Sequence, residues 1–205
     1  LDPSESIIVD FITGAGDTRE VCEKLIKKYQ DKHHKNRVFE LAWTHSQVIL
    51  RQINATNADE QLFGRLASSI IFTNPALRTD PSTIIKNHKK QSDLWGYSVS
   101  GDLPIVLAQI ADHNNISLIK QLIQAHTYWH LKGLVSDLII WNEDNGGYRQ
   151  DLHNRIQALI PNELLDRQGG IFVRSADQIS DEDRILFQTV ARVHISDANG
   201  TLADH

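Results

Sequence analysis

The sequence predicts a mainly helical α+β chain: helical hairpins first, then a small βαβ unit of two short parallel strands with covering helices. Three observations carry this. Apolar residues recur at helical spacing through most of residues 17–133, with capping signals at the starts. After Gly133 near-continuous apolar runs of strand length appear, at 135–142 and 171–174. A helical pattern lies between those runs and another follows them, which is the signature of parallel strands joined by crossover helices.

The bulk numbers fit one sizeable core or two small ones. The chain has 205 residues, 40% of them hydrophobic and 23% charged, with a formal net charge of −5. That charge argues against a nucleic-acid partner, which would require a basic patch or stripe. The lysines gathered at Lys27, Lys28, Lys32 and Lys35, and at Lys86, Lys89 and Lys90, read as solvated helix faces. The single cysteine, Cys22, has no internal partner and falls at an apolar helical position, so it reads as a buried inert thiol. No apolar run reaches the length of a membrane span, no signal-peptide pattern is present, and membrane contact is not expected of this segment. No cofactor or metal site is read from the residues. The chain begins without methionine in what reads as the end of a strand, so it is expected to be a piece of something longer.

Taken in order, residues 6–13 are β-branched and apolar and end at Gly14-Ala-Gly16, which predicts a strand and a turn. Residues 1–16 therefore read as the end of a preceding domain, and 17–205 as one helical-rich domain with a helical half (17–133) and a βαβ-like half (134–205). Asp17 followed by Glu20 marks a helix start, with Val21, Leu25, Ile26 and Tyr29 as its apolar face. After a polar break, a helix from about Asn36 to Ile53 places Phe39, Ala42, Trp43 and Leu50 on one side. Val38, Leu41, Val48 and Ile49 widen that face, which predicts burial on more than one side. His45 within it reads as a satisfied core histidine. Asn57-Ala-Asp-Glu60 caps a third helix through Phe63, Leu66 and Ile70, which stops at Asn74-Pro75. Asp80-Pro81 opens a short one.

The run from Asp93 to Leu107 is the most distinctive stretch. Gly96 and Gly101 permit sharp turns. Asp102 and Pro104 read as the cap and first turn of a helix through Val106, Leu107 and Ile110. On a structural reading Asp102 is that cap and Trp95 is core. On a functional reading Trp95 and Tyr97 stack on a sugar ring while Ser100 and Asp102 bind its hydroxyls. Asn114 or Asn115 then caps a long helix ending at Lys132-Gly133. His126 and His130 share one face of it, but no third metal ligand accompanies them. The strand 135–142, a turn at 142–147, a helix from Tyr148 to Ile160, the strand 171–174 after Gly169-Gly170, and a helix from Ser180 through Val193 complete the chain. Ligands of open parallel sheets sit beyond the carboxyl ends of the strands, which here hold Asn142, Glu143, Asp144, Arg174, Ser175 and Asp177. No glycine-rich nucleotide fingerprint follows the first strand.

Several segments together carry a family resemblance: Phe39-Glu-Leu-Ala-Trp-Thr-His45, Leu66-Ala-Ser68, Asn74-Pro-Ala-Leu-Arg78, Leu94-Trp-Gly-Tyr-Ser-Val-Ser-Gly-Asp-Leu-Pro-Ile-Val-Leu107, Leu131-Lys-Gly-Leu134, Asn142-Glu143, Ala176-Asp-Gln178 and Glu182-Asp-Arg184. In this order they resemble a segment of the bacterial cyclic β-1,2-glucan synthetases, very large membrane enzymes whose C-terminal region is related to the cellobiose and chitobiose phosphorylases. The resemblance implies a parent that transfers or phosphorolyses β-linked glucose. It places this segment after a β-sandwich, on the cytoplasmic side, with neighbouring domains of the same polypeptide and β-glucan as partners. It also sets Ser98 to Asp102 where the phosphorylases carry an Arg-Asp-x-x-Gln-Asp segment, with Asp102 as the retained acid. The Gly-Asp-Trp-Asn-Asp-Gly motif that bears their general acid is missing, and Trp141-Asn-Glu-Asp-Asn-Gly146 lacks the Asp before Trp.

A non-catalytic structural module is therefore the favoured expectation. The alternatives are a sugar-binding module that uses Trp95, Tyr97, Trp129, Trp141 and Tyr148, or a residual glycoside site with Asp102 and Glu143 as the two carboxyls. Substrate-binding candidates are Trp95, Tyr97, Ser100, Asp102, Asn142 and Arg174.

Overall fold

A computed structural model of the chain describes residues 2, 4–144 and 149–205. It divides into two compact units, Leu1–Val48 and Ile49–His205.

The first unit contains helix α1, Arg19–Tyr29, and most of α2, Lys32–Gln52. Thr18, rather than Asp17, caps α1 by accepting a hydrogen bond from the Val21 amide. No described residue up to Val48 is fully buried. Phe39, Leu41 and Trp43 of α2 are exposed, as is His45, against the expected burial on more than one side. Only Ile49 and Leu50, at the end of α2, are buried. Cys22 is half-buried. Residues 6–13 form no strand, because a strand needs a neighbour to pair its backbone. Ile7, Ile8 and Phe11 there are exposed.

The second unit is organised by a four-stranded, wholly parallel sheet in the order β3-β2-β1-β4. The strands are β1 Ile105–Ile110, β2 Asp137–Asn142, β3 Ile171–Ser175 and β4 Ala191–Ser196. The predominantly helical character and the small parallel sheet agree with the expected class, but the sheet has twice the expected strands. The added pair are β1 and β4, both read from sequence as helix. In β1 every residue but Gln109 is buried. A strand covered on both faces shows a continuous apolar run, and periodicity alone does not separate that from a buried helix. Helix α7, Asp181–Val190, passes into β4 at Ala191 with no intervening turn residue, so the sequence bears no stop signal there.

Helices cover both faces. On one face α3 (Asn57–Ile71), α5 (Ile116–Leu131) and α6 (Arg149–Leu159) bury Phe63, Leu122, Trp129 and Ile156 against Val106, Ala108, Leu138 and Val193. On the other, Leu186 and Phe187 of α7, with Leu94 and Val99, close over Leu107, Ile139, Trp141 and Phe172. This division follows from right-handed crossovers. The steps β1 to β2 and β2 to β3 run one way and put α5 and α6 on one face. The step back to β4, beyond β1, puts α7 on the other. The short helix α4, Pro81–Ile84, starts at Asp80 as expected.

The ends of these helices are fixed locally. Thr56 and Asp59 form a reciprocal capping box at α3. Asn115 precedes α5, and Gly133 follows it at φ +86. The expected helix start at Tyr148 and the turn residues 145–147 lie outside the described residues. Among the described residues, no helix is long and apolar enough to cross a membrane.

Candidate functional site at the carboxyl ends of the strands

The run from Gln91 to Leu103 is a 3₁₀ helix, Gln91–Tyr97, followed by a descending segment, not the approach to an α-helix. Leu94 and Val99 anchor it in the core. Ser98 at φ +64 and Gly101 at φ +75 turn it. A Cβ at Gly101 would also stand 2.9 Å from Leu94 Cδ1.

The segment spans the sheet from one end to the other. Its Tyr97 end meets the carboxyl ends of the strands. The Tyr97 carbonyl accepts from Arg174 Nη2 at 2.8 Å, and its hydroxyl donates to Asp183 at 2.9 Å. Its Asp102 end lies at the amino ends. Ser100 Oγ accepts from Gln168, and burial, with a lesser push from the nearby Asp102 charge, raises the pKa of Asp137, the first residue of β2.

The candidate residues therefore separate. Trp95 is 63% exposed, not core, and its Nε1 donates to the Ser100 carbonyl. Asp102 is exposed and accepts from Gln91 Nε2 at 2.9 Å; it caps no helix. Trp95, Ser100 and Asp102 form a self-bonded turn. Tyr97 and Arg174 are brought together elsewhere, and buried Asn142 lies beside them in register with Ser175. Trp129 and Trp141 are buried, and Trp129 Nε1 donates to the Phe63 carbonyl. Tyr148 lies outside the described residues. His126 and His130 also part: His126 is buried and His130 exposed.

Asp102 and Glu143 do not form a carboxyl pair. Glu143 follows the last residue of β2, whereas Asp102 neighbours the first, and the strand between them advances about 20 Å. Glycoside chemistry sets its two carboxyls roughly 5–10 Å apart.

A cavity of about 390 Å³ opens at the carboxyl end of β3. Gly96, Tyr97 and Ser98 form one wall, and Arg174, Ser175, Gln178 and Ile179 the other. The guanidinium of Arg174 is held by Asp166 at 2.8 Å and by the carbonyls of Tyr97 and Val173. Behind the cavity Phe187 packs edge-on against both Tyr97 and Trp141. Burial, and then the carboxylate of Asp183, push the Tyr97 hydroxyl pKa up. Burial opposes ionisation of Asp183 itself, but hydrogen bonds from Ser180, Lys89 and Tyr97 outweigh it and hold the carboxyl below its usual range.

A second polar group lies where the sheet order reverses, between β1 and β4. Gln109 Nε2 donates to Glu143 at 3.1 Å, and its Oε1 faces His194 Nε2. Because Oε1 can only accept, Nε2 carries the imidazole proton, and Nδ1 accepts from Thr79 Oγ1 at 3.1 Å. Burial, aided by nearby His205, lowers the His194 pKa and favours this neutral form. Asp197 closes the same edge by accepting from the Ala111 and Asp112 amides and from Asn115 Nδ2. Sequence reasoning missed Gln109 and His194 because both sit on strands read as helix. Ser98 and Gln178 carried no signal of their own, since packing alone brings them together. Among the described residues, no cluster of three His, Cys, Asp or Glu side chains could hold a metal ion.

The fold and the cavity define a class: a mainly helical module with a small parallel sheet, helix-covered on both faces, and a small polar cavity at its strand ends. No protein-family model matches the chain. Its sequence is similar to part of the cyclic beta-(1,2)-glucan synthase NdvB of Rhizobium meliloti (strain 1021), with 28% identity over 206 aligned residues covering 98% of this chain. The resemblance read from the motifs is thus borne out along nearly the whole sequence. The chain spans 7% of the length of that relative.

Proposed function

We propose that the chain is a non-catalytic structural module of a much larger cyclic β-1,2-glucan synthase, a glycosyltransferase of the bacterial inner membrane, and that it lies on the cytoplasmic side. One observation carries the non-catalytic reading: the two candidate carboxyls stand at opposite ends of the sheet, too far apart to act on one glycosidic bond. Asp102 is tied into its own turn and Glu143 into the Gln109–His194 chain, which suits holding the fold. The role within the parent is to dock neighbouring domains of the same polypeptide. The exposed Phe39, Leu41 and Trp43 of the first unit supply an apolar surface of the kind such contacts use.

The purified chain tests this directly. It would be incubated with β-1,2-glucan and phosphate, and separately with glucose 1-phosphate and a glucose acceptor, and the products separated by chromatography. No product above the protein-free blank is expected. Turnover that disappears in Asp102→Asn or Glu143→Gln would overturn the reading.

A further inference from the structure

We propose that the cavity at the carboxyl end of β3 binds an uncharged polyhydroxyl ligand, a saccharide ring, as a non-catalytic subsite. Its position is the first argument. Open parallel sheets present ligand sites at the carboxyl ends of their strands, and about 390 Å³ lies toward the small end of such sites.

The lining chemistry is the second argument. Ser98, Ser175 and Gln178 line the cavity, and among the described residues none of their side chains makes a hydrogen bond. Two hydroxyls and an amide together donate and accept, which is what a ring of alcohols requires. Ser98 also occupies the left-handed region at φ +64. A non-glycine residue pays a conformational cost there and is found where the surrounding structure imposes it, often at ligand sites.

Charge is the third argument, and it favours a neutral ligand over an anion. The Arg174 guanidinium is paired with Asp166 and gives two further hydrogen bonds to the Val173 and Tyr97 carbonyls, so its charge is matched and three of its five donors are used. The nearby start of α7 carries Asp181, Glu182 and Asp183 in its first turn, which cancels the attraction of a helix N-terminus for anions. Lys89 is committed to Asp183 at 2.9 Å. Besides the paired Arg174, the polar side chains that line the cavity are the neutral ones of Tyr97, Ser98, Ser175 and Gln178.

The choice of sugar rests on the preceding reading of the chain as part of a glucan-synthesising protein. The test is a titration of the isotope-labelled 205-residue chain with glucose, with a β-1,2-linked glucose oligosaccharide and, separately, with inorganic phosphate, followed by amide chemical shifts. Saturable shifts are expected at 96–98 and 175–179 with the sugars and not with phosphate. Gln178→Ala and Ser175→Ala should each weaken binding about 3- to 10-fold, as loss of one hydrogen bond does. Trp95→Ala, outside the cavity, should not. Amide spectra of the free variants establish that they fold. No saturable shift in tens of millimolar sugar overturns the proposal and leaves the module reading intact. Shifts centred on Trp95, Ser100 and Asp102 overturn the placement, and phosphate-induced shifts at the cavity overturn the neutral ligand. The module reading fails on a different result, product formation.

Discussion

Acid should destabilise this fold through His126, and the size of the effect can be worked out. His126 is 1% exposed. Its Nε2 lies 2.8 Å from the Ser136 carbonyl, which can only accept, so Nε2 carries the proton and Nδ1 is bare. Nδ1 is buried without a partner. Protonating it would place a charge in the core. Burial, with a lesser push from His130 and against the Ser136 hydrogen bond, lowers the His126 pKa from 6.5 to about 4. The folded pKa is depressed, so the unfolded chain takes up this proton first as pH falls. The stability due to neutral His126 is therefore complete above pH 6.5 and drains away down to about pH 4. Each unit is worth 1.36 kcal/mol, so about 3 kcal/mol is lost across the window. Urea unfolding at intervals between pH 7.5 and 4 measures it. His194 titrates in the same sense, so the informative quantity is the difference from His126→Gln. That variant should lose about 1–2 kcal/mol at pH 7 and most of the wild-type slope. A wild-type profile that stays flat from pH 7 to 5, or a His126→Gln profile as steep as wild type, would refute the argument.

Further perturbations follow from local geometry. A Cβ at Gly170 would lie 2.1 Å from the Leu164 carbonyl oxygen, whereas one at Gly169 would meet only side chains, Val135 Cγ1 at 2.6 Å and Leu103 Cδ1 at 3.6 Å. Gly170→Ala should therefore abolish folding or cost more than about 3 kcal/mol, and Gly169→Ala, at φ +73, about 1–2 kcal/mol, both by urea titration. Thr56→Ala removes one half of the α3 capping box and should cost about 1 kcal/mol by the same measurement. Trp43→Glu should leave the stability of the chain within about 0.5 kcal/mol, because Trp43 is 68% exposed. Trp129→Ala should cost about 3–5 kcal/mol; equal losses at the two tryptophans would contradict the exposure of α2.

The parts of the fold legible in sequence are those whose signals are local. The α3 start, the Asn115 boundary of α5, the Gly133 stop, strands β2 and β3 and the Gly169-Gly170 entry all rest on residues within a few positions of one another. Strands β1 and β4 were illegible because what makes them strands is pairing with each other and with β2. Pro104 ahead of an apolar run suits a helix start equally well. The breadth of the α2 apolar face implied burial, yet periodicity records only which residues share a side. The candidate site was legible by half: Tyr97 and Arg174 converge, but Ser98 and Gln178 join them only through the packing of β3 on the descending segment.

The polarity of the parallel sheet explains why one stretch invited both a structural and a functional reading. All four strands point the same way, so their carboxyl and amino edges are chemically different places. The stretch from Tyr97 to Pro104 must cross from one edge to the other before β1 can begin. The crossing is held by Leu94 and Val99 in the core and by the turns at Ser98 and Gly101. Trp95, Ser100 and Asp102 satisfy one another at the far side, where a parallel sheet offers no ligand crevice. Tyr97 and Ser98 remain at the near side, where it does. Density of aromatic, glycine and acidic residues therefore marked the stretch as distinctive without saying which of them share a location. The sheet separates them, and only the Tyr97 end lies at the carboxyl edge of the strands.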